Sequence, residues 1–142
     1  MNDQKLPTWF WVVAVLAVLW NLIGAFAYYS DVTMSPEMLA QLPEADQNLR
    51  AAMPTWVIGL YAIAVFVGLT AAITLCLRNK LAIPLYVVSL AAVVIQMGYI
   101  SFGMNAVEIR GAVSLILPVV IIVLGVLQLW VSMHAKGQGW FD

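Results

Sequence analysis

Residues 6–29 read LPTWFWVVAVLAVLWNLIGAFAYY, and no Asp, Glu, Lys or Arg interrupts them. A bilayer core needs about 20 consecutive apolar residues as an α-helix. The stretch is continuous rather than alternating, so it does not read as a strand with one polar face. An open sheet in lipid would also leave backbone groups unpaired. It predicts a membrane-spanning helix over about 9–29.

The same gap in charge recurs three times: between Arg50 and Arg78, between Lys80 and Glu108, and from Gly111 to Ala135. These predict helices over about 55–77, 81–103 and 112–133. Composition agrees. Of 142 residues, 64% are hydrophobic and 9% charged, whereas a soluble domain carries about 25% charged residues. The expected fold class is therefore all-α. It is a membrane four-helix bundle making one membrane domain over 1–142, with a short amphipathic helical outer loop over 30–54. One large soluble helical core is the alternative.

Lys and Arg set the expected orientation. With the N-terminus inside, Lys5, Arg78, Lys80 and Lys136 lie on the cytoplasmic side, and Arg50 and Arg110 outside. This bias places both termini in the cytoplasm. Ala25-Phe26-Ala27 resembles a signal-peptidase site. Yet Lys5 is offset by Asp3 and the apolar run is longer than a signal's, so the first helix is expected to stay uncleaved. Aromatic residues near both ends of the spans, such as Trp9, Trp11, Trp130 and Trp140 on one side and Tyr28, Tyr29, Trp56 and Phe102 on the other, fit interfacial anchoring.

The outer loop carries its own helix signals. Ser35-Pro36-Glu37 joins a hydroxyl cap, a first-turn proline and an acid at the positive end of the dipole. Pro43-Glu44 repeats the start, and Pro54 breaks the chain before the second span. One or two short helices with a net negative charge are expected on the outer face, as a cap, a lid over a pocket or a docking surface.

No acidic or basic residue lies deep within a span, which argues against proton-coupled transport through a carboxylate. Uncharged polar residues remain: Asn21, Gln96, Gln128, Thr70, Thr74, Ser89 and Ser114. Ala64, Gly68 and Ala72 form a small-xxx-small series expected to pack helices closely. Counting 1.5 Å per residue puts Asn21 roughly 18 Å and Gln96 roughly 22 Å above the cytoplasmic ends of their helices, and Gln128 about 8 Å. Two polar layers follow: Asn21, Gln96 and Tyr61 in the outer middle, and Gln128, Thr70 and Ser89 nearer the cytoplasm. Each reads either as adhesion between helices or as a binding site. In the second case Asn21 and Gln96 hydrogen-bond a solute, with Trp20, Tyr61 or Tyr99 stacking on it. Pro118 is expected to kink the fourth helix, and Glu108 to pair with Arg110.

Chemistry beyond binding has little support. His134 is the only histidine and Cys76 the only cysteine. No metal-ligand spacing, no nucleophile–base set and no phosphate loop is present. No enzyme activity, metal or cofactor is expected. The net charge of −1, with no basic cluster, gives no reason to expect a nucleic-acid partner.

Trp20-Asn21-Leu22-Ile23-Gly24, then Tyr28, Thr33-Met34-Ser35-Pro36-Glu37 and the Gln96-Met97-Gly98 step resemble small four-span bacterial inner-membrane proteins often labelled sugar transporters. The resemblance covers most of the chain. It implies a bacterial inner-membrane location and a neutral solute, and assigns no binding residue. Two readings follow. One is a bundle binding or transporting an uncharged small solute, with a homo-oligomer needed to wall a path. The other is a non-catalytic accessory or scaffold subunit that binds other membrane subunits through the small-residue face and the acidic loop.

Overall fold

A computed structural model describes residues 5–141. Among these every regular element is helical: α1 (Thr8–Val32), α2 (Pro36–Ala40), α3 (Glu44–Ala52), α4 (Thr55–Cys76), α5 (Ala82–Gly98), a π-helical turn (Tyr99–Gly103), α6 (Ala106–Arg110), a 3-10 turn (Ala112–Leu115) and α7 (Ile116–Gly137). Four segments are long and apolar enough to cross a membrane: Thr8–Val32, Thr55–Cys76, Ala82–Gly103 and Ala112–Gly137. The protein is thus an all-α, multi-pass membrane bundle. The terminal end holds the start of α1, the α4–α5 turn and the end of α7. The loop end holds α2, α3 and α6.

Helix α4 sits between α1 and α5, and α5 between α4 and α7. The small residues of α4 make this possible. Gly68 and Ala72 are buried, and Ala71 with them. A Cβ on Gly68 would lie 2.6 Å from Asn21 Oδ1 on α1 and 2.8 Å from Ser89 Oγ on α5. Three helices therefore meet where only a hydrogen atom fits. Helices α1 and α7 do not pack along their length. An apolar groove of about 540 Å³ runs between them.

The terminal end is closed by a dense core of Leu6, Phe10, Ala14, Ala71, Leu75, Ala82, Tyr86, Val131, Ala135 and Trp140. Two helix C-termini build it. Helix α4 ends in a Schellman motif, with the Asn79 N–H donating to Thr74 O (2.9 Å) and Arg78 N–H to Leu75 O (3.0 Å). Arg78 takes the left-handed position (φ 58°) that glycine usually fills, at a cost of about 1–2 kcal/mol. Its Nε donates to Trp140 O at 2.9 Å, which ties the C-terminal segment beneath the turn. Helix α7 ends the same way, with Trp140 N–H donating to Ala135 O (2.9 Å) around Gly139 at φ 74°. Trp140 then packs edge-on against Phe10 and Trp9. His134 stacks on Trp130 with ring centroids 5.1 Å apart.

One core atom is unserved. The Tyr86 hydroxyl is buried with no hydrogen-bond partner among the described residues. Leaving such a group unsatisfied costs about 1–3 kcal/mol. Tyr86→Phe is therefore expected to raise the thermal midpoint of the purified protein, by about 1 kcal/mol in stability. A lowered midpoint would mean that the hydroxyl holds a bond through water.

The loop end follows its sequence signals. Ser35 Oγ accepts the Met38 N–H at 3.2 Å, capping α2 with Pro36 in the first turn. Helix α3 starts after Pro43, and Gln47 Nε2 donates back to Leu42 O at 2.8 Å. Leu49 is its buried contact. Asp31, in the last turn of α1, sits at the negative end of that helix dipole. Arg50 Nη2 (3.0 Å) and the Tyr61 hydroxyl (2.9 Å) both donate to its carboxylate. This clasp ties α3 to α1 and α4.

Three local expectations are corrected. Arg110 pairs with Asp46 of α3 rather than with Glu108, because α3 folds over α6. Pro118 does not kink a long helix. A 3-10 turn precedes it and α7 begins at Ile116, so Pro118 falls in the first turn, where its missing N–H costs nothing. Thr70 is exposed and bonds only to Phe66 O, so it belongs to no inner polar layer.

Candidate functional site

The five residues proposed to bind a solute fall into four places. Asn21 is engaged within the bundle. Its Nδ2 donates to Ala17 O (2.7 Å) and to Gln128 Oε1 (2.9 Å), so α1 and α7 are bridged at one point across the groove between them. Trp20 lines that groove, together with Leu16, Ile23, Leu124 and Leu127. Tyr61 is committed to Asp31, and its ring meets Tyr28 edge-on at 5.1 Å. Tyr99 meets Trp56 at 4.7 Å. Gln96 stands apart from all four. It faces a pocket at the loop end, and the expected layer of Asn21, Gln96 and Tyr61 does not form. Ser89 turns to Ala64 O at 2.6 Å, beside Gly68.

The loop-end pocket holds about 720 Å³ between α5, the start of α7, α3 and α6, within the range of small-molecule sites. Its walls are mostly apolar: Met97, Ile100, Val113, Leu117 and Pro118 among others. Its polar groups converge from five elements. Gln96 and Ser101 come from α5 and the π turn, Ser114 from the 3-10 turn, and Asp46, Arg50 and Arg110 from the rim.

Gln96 is 5% exposed and Ser101 7%. Neither side chain makes a hydrogen bond to any described residue. Unlike the sealed Tyr86 hydroxyl, their polar atoms open into the cavity they line, where they are placed to bond an occupant. Ser114, by contrast, is satisfied by Gly111 O at 2.7 Å.

The π turn explains why Gln96 and Ser101 share the cavity. Five residues along an α-helix rotate the side chain about 140° away. Here Met104 N–H donates to Tyr99 O at 2.8 Å, a five-residue step, and the wider turn swings Ser101 back toward the face of Gln96. Gly103 completes it, since a Cβ there would lie 2.8 Å from the Tyr99 ring. Such single π turns occur often at functional sites.

The rim is electrically balanced. Arg110 is paired with Asp46 and Arg50 with Asp31. Sequence reasoning singled out Gln96 and missed Ser101, because the signal lay in the hydrogen-bond register of the helix. The two glycines around it, Gly98 and Gly103, were the only visible hint.

Among the described residues, no group of His, Cys, Asp and Glu is arranged to hold a metal ion. No protein-family profile, curated protein or solved structure matches the chain.

Proposed function

We propose that this is a non-enzymatic protein of the bacterial inner membrane, with both termini in the cytoplasm, that binds an uncharged, hydroxyl-bearing small molecule such as a sugar at its outer end. The observation that carries this reading is the pair of buried, unbonded side chains, Gln96 and Ser101, in one pocket. An amide and a hydroxyl each offer a donor and an acceptor, which suits the hydroxyl groups of a polyol. The balanced rim favours a neutral ligand. The orientation rests on the distribution of Lys and Arg.

Binding at one face is what the geometry supports. Passage would require the terminal-end core around Phe10, Leu75 and Ala82, all fully buried, to part. The accessory-subunit reading keeps one observation in its favour, the open apolar groove between α1 and α7. The stripe of Ala64, Gly68 and Ala72 no longer serves it, because Gly68 and Ala72 are covered within the chain.

The test is a binding panel of neutral sugars, polyols and their alkyl derivatives against the purified protein in lipid nanodiscs. At least one member is expected to bind, and Gln96→Leu to weaken it about tenfold or more, the cost of one buried hydrogen bond lost to a polar ligand. Binding by no member, or binding that Gln96→Leu leaves intact, would overturn the proposal. A larger complex recovered by gentle extraction and dispersed by Trp20→Ala would favour the accessory role instead.

A further inference from the structure

We propose, resting on the binding role of this same pocket, that its occupant is an amphiphile: a neutral hydroxyl-bearing headgroup on a hydrocarbon chain, entering sideways from the lipid. Three observations lead there.

The first is the side opening. Val113 and Leu117 line the pocket, yet they are 72% and 62% exposed and belong to the membrane-spanning segment Ala112–Gly137. The wall of the pocket therefore runs unbroken into the surface that faces hydrocarbon. A free polar solute would leave one flank against acyl chains, where each unpaired hydroxyl costs about 1–3 kcal/mol. A hydrocarbon chain leaving past Leu117 meets surface of its own kind.

The second is depth. Gln96 lies about 10 Å below Gly103 along its helix, and Leu117 about 8 Å below Ala112 along the next span. Counted from those ends, Gln96 and Leu117 lie at similar depth, with Ser101 about 7 Å nearer the rim than Gln96. A headgroup held by Gln96 and Ser101 would have its chain directed out between α5 and α7 rather than up into water. The few polar side chains amid apolar walls match a ligand with one small polar end.

The third is charge. Both arginines at the rim already hold carboxylates, Asp31 and Asp46. A phosphate would have to draw one of them off its partner, whereas a neutral headgroup disturbs neither pair.

The experiment uses the full chain in phosphatidylcholine nanodiscs prepared without sugar detergents and doped with monoglucosyl diacylglycerol. Native mass spectrometry reads the bound lipid, and calorimetry reads free glucose on the same preparation. Glycolipid is expected to be retained over phosphatidylcholine, with occupancy falling about tenfold in Gln96→Leu and clearly in the milder Ser101→Ala. Leu117→Trp, which narrows the side opening, should lower it too. Free glucose should bind at least about tenfold more weakly.

Glucose bound as tightly as the glycolipid, and through Gln96, would overturn the amphiphile and leave the solute-binding role standing. Retention of phosphatidylcholine over glycolipid would overturn the neutral headgroup. Glycolipid retention unchanged in both Gln96→Leu and Ser101→Ala, with each variant folded by its thermal midpoint, would overturn the pocket's binding role and the inference together. So would the absence of any bound lipid or sugar.

Discussion

Phe10→Ala is expected to destabilise the protein by about 3 kcal/mol, the lower end of the range for removing a buried phenylalanine. The ring is fully buried. It stands edge-on to Trp140 at 5.5 Å and to Trp11 at 5.3 Å, and it joins α1 to the α4 and α7 side chains of the terminal-end core. Its removal leaves a cavity that Ala14, Ala71 and Ala135 cannot fill, because each carries only a methyl group. The lower end applies because part of the usual cost is transfer to water. In a bilayer a released apolar group can meet lipid instead.

The effect should reach the C-terminal segment, since Trp140 loses its facing ring while its carbonyl still accepts from Arg78. Thermal unfolding in detergent checks it, with protease sensitivity near Gly139 as a second reading. Phe10→Leu should recover most of the loss. An unchanged midpoint for Phe10→Ala would show that this plug contributes little to holding α1, α4 and α7 together.

Gly68→Ala should cost about 1–3 kcal/mol, the usual penalty for one extra carbon in a filled core. Side-chain tips normally yield to a new methyl, but the two atoms in its way are held. The Asn21 amide is fixed by Ala17 O and Gln128 Oε1, and Ser89 Oγ by its bond to Ala64 O at 2.6 Å. Making room means loosening hydrogen bonds that average about 0.6 kcal/mol each between membrane helices, or separating α4 from both neighbours. The Gly68 penalty should therefore depend on Asn21 and Ser89. In an Asn21→Ala/Ser89→Ala background the same Gly68→Ala change should cost less than half as much, as unfolding in a denaturing detergent series would report. Equal cost in both backgrounds would place the strain elsewhere, in the backbone approach itself.

The four spans were legible because charge is excluded from hydrocarbon at a cost of several kcal/mol per group. Gaps in charge therefore locate helices with no knowledge of packing. The Ser35 cap, the Pro43 start and the Arg78-Asn79-Lys80 turn were legible because each is settled by a few adjacent residues. The partner of Asn21 was not. Depth alone suggested Gln96, but α5 is separated from α1 by α4. Helix α7 also runs on to Gly137, four residues past its expected end, which raises Gln128 by about 6 Å. Likewise Arg110 found Asp46, a residue remote in sequence, once α3 lay over α6.

By itself the sequence determined a bundle of four helices with uncharged cores, and a capped, acidic connection between the first two. Hydrophobic length and local capping act over one helix or one turn, and both are written in consecutive residues. Only the tertiary structure decided that Gln96 and Ser101 would share a pocket and that Asn21 would be spent on Gln128. Which faces of neighbouring helices meet depends on a single close approach at Gly68 and on one wide turn at Tyr99–Gly103, and neither changes the pattern of apolar residues.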